Sequence, residues 1–284
     1  MLALGTVQFG LPYGVTNASG QVSEAEVAEI LQYARDTGIS TLDTASEYGA
    51  SESVLGNVGV NSFDVVTKFP AQIPPVNHTS WAIDSVALSL QRLRLPRVHG
   101  VLFHRPEHVS AFNPDSLQNC IDELKQLGYV QKVGVSVYCP SDLDDVLRVF
   151  TPDIVQLPYN AFDQRFRSSG WLDRLSALNV DVHVRSVFLQ GVLLEGLDRL
   201  PSMFKRWNDQ IEHWSHVCED FGGDRVAVAL AAVNHPTINR IVVGVQSRNQ
   251  LTDIVNSYEI AKTLTVPDVS IDDENLILPT KWND

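Results

Sequence analysis

Cysteine is scarce. Only Cys120, Cys139 and Cys218 occur in 284 residues, and no two make a CxxC pair or a zinc-ligand spacing. An odd number in a chain this long argues against a disulfide framework, and a reducing, cytoplasmic setting is the expectation. Positive charge is also short. With 21 Lys and Arg against 34 Asp and Glu, the net charge is −13. That field repels nucleic acid and anionic membranes, and no basic run opposes it, so neither is an expected partner. Long apolar runs are missing too. None approaches the ~18 residues that would span a bilayer. The opening MLALGTVQFG has no basic n-region and does not read as a leader. No linker or low-complexity tract divides the chain, so one domain over residues 1–284 is expected.

What the chain does have is a rhythm. Charged residues make up 19% and apolar ones 44%, a balance that builds a core and not a disordered coil. Short Val/Ile/Leu-rich runs alternate with longer helical patterns. The runs are LALGT, STLDTA, FDVVTKF, VHGVLFHR, KVGVSVY, DIVQLPY, DVHVRSVF and INRIVVGV. Between them lie helical stretches such as SEAEVAEILQYARDTG, which opens on a capping-box pair, Ser23 and Glu26, and closes on Gly38. Eight strand–helix units of roughly 30 residues predict a closed (β/α)₈ TIM barrel, of the α/β class. An open doubly wound sheet is the alternative.

In such a barrel, chemistry belongs at the C-terminal ends of the strands. Strand two ends in Asp43, with Tyr48 one short turn beyond. Strand three ends in Lys68 and strand four in His104. Strand five ends in Ser136, strand six carries Gln156, and strand seven ends in Arg185 and Ser186. A lysine ammonium beside a phenol favours the phenolate and is expected to pull the Tyr48 pKa down. Asp43 would hold Lys68 charged, and Tyr48 could then protonate a developing alkoxide, with His104 at the same oxygen. None of the four supplies a hydride, so carbonyl reduction would need a cofactor. Taken singly, Asp43 reads equally as a helix cap and His104 as a core histidine. Glu47, Arg105 and His108 read as rim residues, with Arg105 placed to meet an anionic substrate. Cys139 reads as a plain thiol. His213 and His216 read as one face of a solvated helix, and no metal is expected.

These residues resemble the aldo-keto reductase superfamily. The likeness is carried by LDTASEYGASESVLG, VVTKF and VLFHR, and it extends through RSVFLQGVLLEG and IVVGVQSRNQLTDIV. It implies an NAD(P)H-dependent oxidoreductase that reduces a small aldehyde or ketone, for example a sugar or another polar carbonyl. Tyr48 would be the general acid/base, with Asp43, Lys68 and His104 completing the catalytic set. Gly5, Thr6 and Asp43 would meet the nicotinamide ribose side, and Ser136 and Gln156 the carboxamide. Arg185, Ser186, Phe188 and Gly191 would follow the pyrophosphate. Gly244, Gln246, Ser247, Arg248, Gln250 and Asp253 would hold the adenosine phosphate. NADP(H) is expected over NAD(H), on Arg248.

Three positions depart from the family pattern: Val137 where it has Asn, Ser247 where a cation is usual, and Ile254 where it has Asn. The usual N-terminal hairpin is short or absent. The tail, about residues 263–284, is expected near the mouth, with Trp282 as a specificity element. Trp171, Trp207 and Trp214 are further candidates for the substrate wall. Two other readings stay open: a Schiff-base aldolase on Lys68, and a cofactor-binding regulatory or redox-sensing subunit with slow turnover.

Overall fold

The computed structural model describes residues 1–74 and 76–282. Eight parallel strands close into a barrel in sequence order. They are β1 (Leu2–Gly5), β2 (Thr41–Asp43), β3 (Asp64–Lys68), β4 (Val98–Phe103), β5 (Val130–Ser136), β6 (Ile154–Pro158), β7 (Asp181–Arg185) and β8 (Ile238–Gly244). Closure is made by β8 on β1, with Gly244 opposite Gly5. Each run expected to be a strand contains one. The open-sheet alternative falls because neither end strand is left unpaired.

The surrounding helices are α1 (Glu24–Asp36), α2 (Ser51–Val58), α3 (His78–Leu93), α4 (Pro114–Gln126), α5 (Pro140–Val149), α6 (Trp171–Ala177), α7 (Asn208–Asp220), α8 (Arg225–Ala232) and α9 (Arg248–Ala261). Their starts follow ordinary capping chemistry. The Ser23 hydroxyl accepts from Glu26 N–H, Asn113 from Ser116 N–H, and Ser247 from Gln250 N–H. Glu26 does not return the bond that a capping box would make. Its carboxylate instead accepts from Arg248 N–H at 2.7 Å, tying α1 to the start of α9. Helix α8 has no counterpart among the expected helices. Its Val/Ala run is buried almost all round, so it shows no amphipathic period that would distinguish it.

The barrel has two apolar compartments. The larger lies between sheet and helices. Val66, Leu102 and Ile154 form a small cluster of their own. Each sits two residues before a polar strand-end group, respectively Lys68, His104 and Gln156. Side chains two apart share a face of a strand, so the cluster fills the barrel beneath those groups. Gly134 makes room for it, since a Cβ there would lie 2.1 Å from Ile154 O and 2.7 Å from Leu102 Cδ2. The polar groups therefore rest on a packed floor and face outward at the C-terminal end. Among the described residues no helix is long and apolar enough to cross a membrane.

Candidate active site

A cavity of about 560 Å³ opens at that end of the barrel. Adjacent strands bring the central residues together. Asp43 closes β2 in register with Gly5 of β1 and Val66 of β3, and Lys68 closes β3 opposite Leu102 of β4. Lys68 Nζ lies 2.8 Å from both carboxylate oxygens of Asp43, 3.0 Å from Thr44 O and 3.3 Å from the Tyr48 hydroxyl. The ion pair is almost wholly buried. Gln156 Nε2 donates to Asp43 Oδ1 at 2.7 Å, fixing the carboxylate from across the barrel. The His104 ring stands edge-on to Tyr48, with centroids 6.1 Å apart.

Tyr48 is aimed by a tight backbone crossing. Gly49 has φ of +55°, and a Cβ on it would lie 2.4 Å from Gly10 O; a Cβ on Gly10 would lie 1.8 Å from Tyr48 O. Glycine is required at both places, at Gly49 also by the left-handed conformation. Gly49→Ala is expected to cost at least ~1–2 kcal/mol from the backbone alone, with further loss from the clash. Urea unfolding of the variant checks this, and an unchanged midpoint would mean that the turn tolerates a side chain.

The charge states follow from surroundings. Burial pulls the Lys68 pKa down, but the Asp43 carboxylate and the Tyr48 phenol outweigh it, and the net movement is upward. Four acceptor atoms surround the Lys68 nitrogen, which favours the ammonium over the free amine that a Schiff-base nucleophile needs. Burial pushes the Tyr48 phenol up, and the opposing pull of Lys68 is partly offset by Asp43, so the net shift is also upward. This corrects the expectation of a lowered phenol. The cation is present, but it already serves Asp43, and enclosure disfavours phenolate more than the cation favours it. Burial and the Lys68 charge together bring His104 down to about 3, so its imidazole is neutral in ordinary buffers. Its Nδ1 has no hydrogen-bond partner, and Glu47 Oε2 stands 3.9 Å away, beyond hydrogen-bond reach.

Asp43, Tyr48, Lys68, His104, Gly5, Thr6, Ser136, Gln156, Arg185, Ser186, Phe188, Gly191, Gly244, Gln246, Gln250 and Asp253 all line the cavity. Ser247 and Arg248 do not. The Ser247 hydroxyl caps α9, and the exposed Arg248 guanidinium lies 5.6 Å from the centre of the Tyr33 ring. Arg105 is exposed and outside the lining, so the arginine facing the cavity is Arg185. The four tryptophans considered for the substrate wall are packing residues. Trp282 meets Phe204 edge-on at 4.9 Å, Trp207 Nε1 donates to Asp273, and Trp214 Nε1 donates to Leu193 O. Trp171 stacks with the Arg174 guanidinium at 4.1 Å. The tail does reach the mouth, but through Leu278, Pro279 and Thr280. Asn283 and Asp284 of the expected tail lie outside the described residues. Burial and the Asp142 carboxyl raise the Cys139 thiol, so no thiolate stands at the rim.

The lining has features that suit a dinucleotide. Gln156 Oε1 is buried, faces the cavity and has no donor, as is Gln8 Oε1 near Gly244. The free Gln156 oxygen fits a carboxamide N–H. Ser186, Leu189 and Gln190 adopt left-handed backbone at φ of 60°, 46° and 53°, followed by Gly191 at 99°. Strain of this kind gathers at ligand clamps, and successive amides in such turns cradle anions. The N–H groups of Val187 and Phe188 find no acceptor among the described residues.

The family model described as the aldo/keto reductase family matches residues 1–273. The chain belongs to the aldo/keto reductase family. It is 29% identical over 143 residues to an aldo-keto reductase of Mycolicibacterium vanbaalenii, a match covering 49% of this chain and 50%, or half the length, of that relative. It is 24% identical over 275 residues, 83% of this chain and 79% of the other, to a Schizosaccharomyces pombe protein named for a voltage-gated potassium channel beta subunit. An aldo-keto reductase of Bacillus halodurans, solved in its holo form, superposes with a TM-score of 0.71 at 18% identity, over 96% of this chain and 94% of that one. At that identity the likeness speaks for the barrel alone.

Within this aldo/keto reductase site, sequence reading overlooked the segment after β1. Gln8, Tyr13, Gly14 and Thr16 line the cavity, as do Tyr138 and Gln190. The GLPYG turn, with two glycines and a proline around an aromatic, was the available signal.

Proposed function

We propose that this aldo/keto reductase reduces an aldehyde or ketone with a nicotinamide dinucleotide, Tyr48 donating the proton. The observation that carries the reading is one buried ammonium shared between the Asp43 carboxylate and the Tyr48 hydroxyl, at the wall of a cavity. The cofactor, when bound, supplies the hydride. Lys68 stabilises the phenolate that is left after proton transfer, and Asp43 keeps Lys68 charged and aimed. Neutral His104 orients the carbonyl oxygen beside Tyr48. Gln156 and Ser136 would hold the carboxamide, and the Ser186–Gly191 backbone the pyrophosphate. Because the phenol is raised, Tyr48 is protonated at neutral pH and ready to act as an acid. Following NADPH fluorescence and its loss with a panel of small aldehydes tests the reading; no oxidation with any of them would contradict it. A cofactor-binding subunit with slow turnover is the second reading, favoured by the channel beta subunit among the relatives.

Cofactor choice is proposed to lean modestly to NADP(H). The exposed Arg248 can swing to a 2′-phosphate at the rim. Glu26 opposes it, because its carboxylate already takes the first amide of α9, where an anion would settle. One charge-assisted contact is worth roughly 1.5–3 kcal/mol, so the preference should be about ten- to a hundredfold, with Glu26 holding it toward the lower end. Arg248→Ala should abolish it and Glu26→Gln should widen it, read by titrating NADPH and NADH. Equal affinities in the wild type, or a full preference in Arg248→Ala, would remove Arg248 from the 2′-phosphate.

A further inference from the structure

Arg185 closes β7 two residues beyond the buried His183, so both side chains share the interior face. Its Nη2 donates to Val137 O at 3.1 Å and its Nη1 to Ser186 Oγ at 3.5 Å, and the guanidinium lies 4.6 Å from the centre of the Tyr138 ring. Every one of these partners is neutral. Among the described residues no carboxylate comes within ion-pair distance of it. Lys68, Arg92, Arg165 and Lys132, also buried or half-buried, pair with carboxylates, whereas Arg35, Arg225 and Arg240 rest like Arg185 on neutral partners; none of those three lines the cavity. In a chain with 34 acids and 21 bases, an uncompensated half-buried cation facing a cavity is the exception.

Its field is felt where the reaction would occur. The Arg185 charge acts to lower both the Tyr48 phenol and the His104 imidazole. A guanidinium offers five N–H donors in a fork that matches a carboxylate, and here most of them are unused.

We propose that Arg185 binds a carboxylate carried by the carbonyl substrate, so that the preferred substrates are oxo acids or carboxylated aldehydes. This rests on the reductase reading above. The same fork could instead meet a cofactor phosphate, since the Ser186–Gly191 loop starts beside it.

The test uses acid and ester pairs in which a methyl group caps the charge: 4-carboxybenzaldehyde and 4-oxobutanoate against their methyl esters. We expect kcat/KM in the wild type to favour each acid about ten- to a hundredfold. In Arg185→Gln the acid-to-ester ratio should fall to about one, and Arg185→Lys should restore part of it. Equal use of acid and ester by the wild type overturns the proposal and needs no variant. So does an Arg185→Gln protein that keeps the ratio while its NADPH affinity falls by a similar factor, because the anion is then the cofactor's. Calorimetry of each pair on the protein loaded with NADP⁺ reads binding without turnover. Should no carbonyl be reduced at all, the reductase reading fails, while the calorimetric acid-to-ester comparison still decides what Arg185 binds.

Discussion

Tyr48→Phe is expected to lower carbonyl reduction by about 10²–10⁴-fold while leaving cofactor affinity in place. The substitution keeps the ring that packs beside His104 and removes only the hydroxyl, which lies 3.3 Å from Lys68 Nζ. Neither His104 nor Lys68 is set up to replace it as an acid. His104 is brought down to about 3 and has no proton to lend as an imidazolium at neutral pH. Lys68 is held high and hydrogen-bonded to Asp43. Stopped-flow fluorescence with NADPH separates binding from the chemical step. Turnover within a few-fold of wild type would take Tyr48 out of the mechanism.

Lys68→Met should act on both stability and pH dependence. Asp43 is 4% exposed, and without the ammonium its carboxylate keeps only Gln156 as a strong partner. Breaking a buried pair from one side typically costs about 3–5 kcal/mol. Adding Asp43→Asn should recover part of that loss, because the stranded charge goes with it. The phenol also loses the cation that opposes burial, so its pKa should rise further. Alcohol oxidation needs phenolate and increases as pH passes through the phenol pKa. Its profile should therefore move to more alkaline pH in the variant, while reduction stays flat through the neutral range. Equal unfolding midpoints for wild type and Lys68→Met would mean that the ion pair is not sustained in solution. An unmoved oxidation profile would mean that Lys68 does not act on Tyr48.

The barrel could be read ahead of the structure because buried parallel strands are continuous apolar runs, and their ends are marked by the polar residues they deliver. Asp43, Lys68 and His104 were visible for that reason, and Tyr48 through the Gly49 that turns it inward. Other features depend on what packs against them. Helix α8 is apolar all round and has no period to read. The direction of the Tyr48 shift is set by enclosure, which spacing does not encode. Arg105 lies in the loop after β4 and Arg185 is the last residue of β7, so one faces solvent and the other the cavity. Arg248 lies two residues from Gln246 and Gln250 of the lining, and only the position of Glu26 on α1 shows why its amide is taken. Trp282 was placed at the mouth because the tail was expected there. The tail arrives, but its indole turns to Phe204 and the neighbouring Leu278 to Thr280 face the cavity.

The most direct measurement follows the hydrogen itself. Protein incubated with NADPH deuterated at both C4 positions and a reducible aldehyde should yield alcohol carrying one deuterium at the carbinol carbon. Tyr48→Phe should bind the same cofactor and yield almost none. If the wild type binds the cofactor but no carbonyl in a broad panel acquires deuterium, the barrel holds a nicotinamide for another purpose and the assignment of Tyr48 as proton donor is wrong.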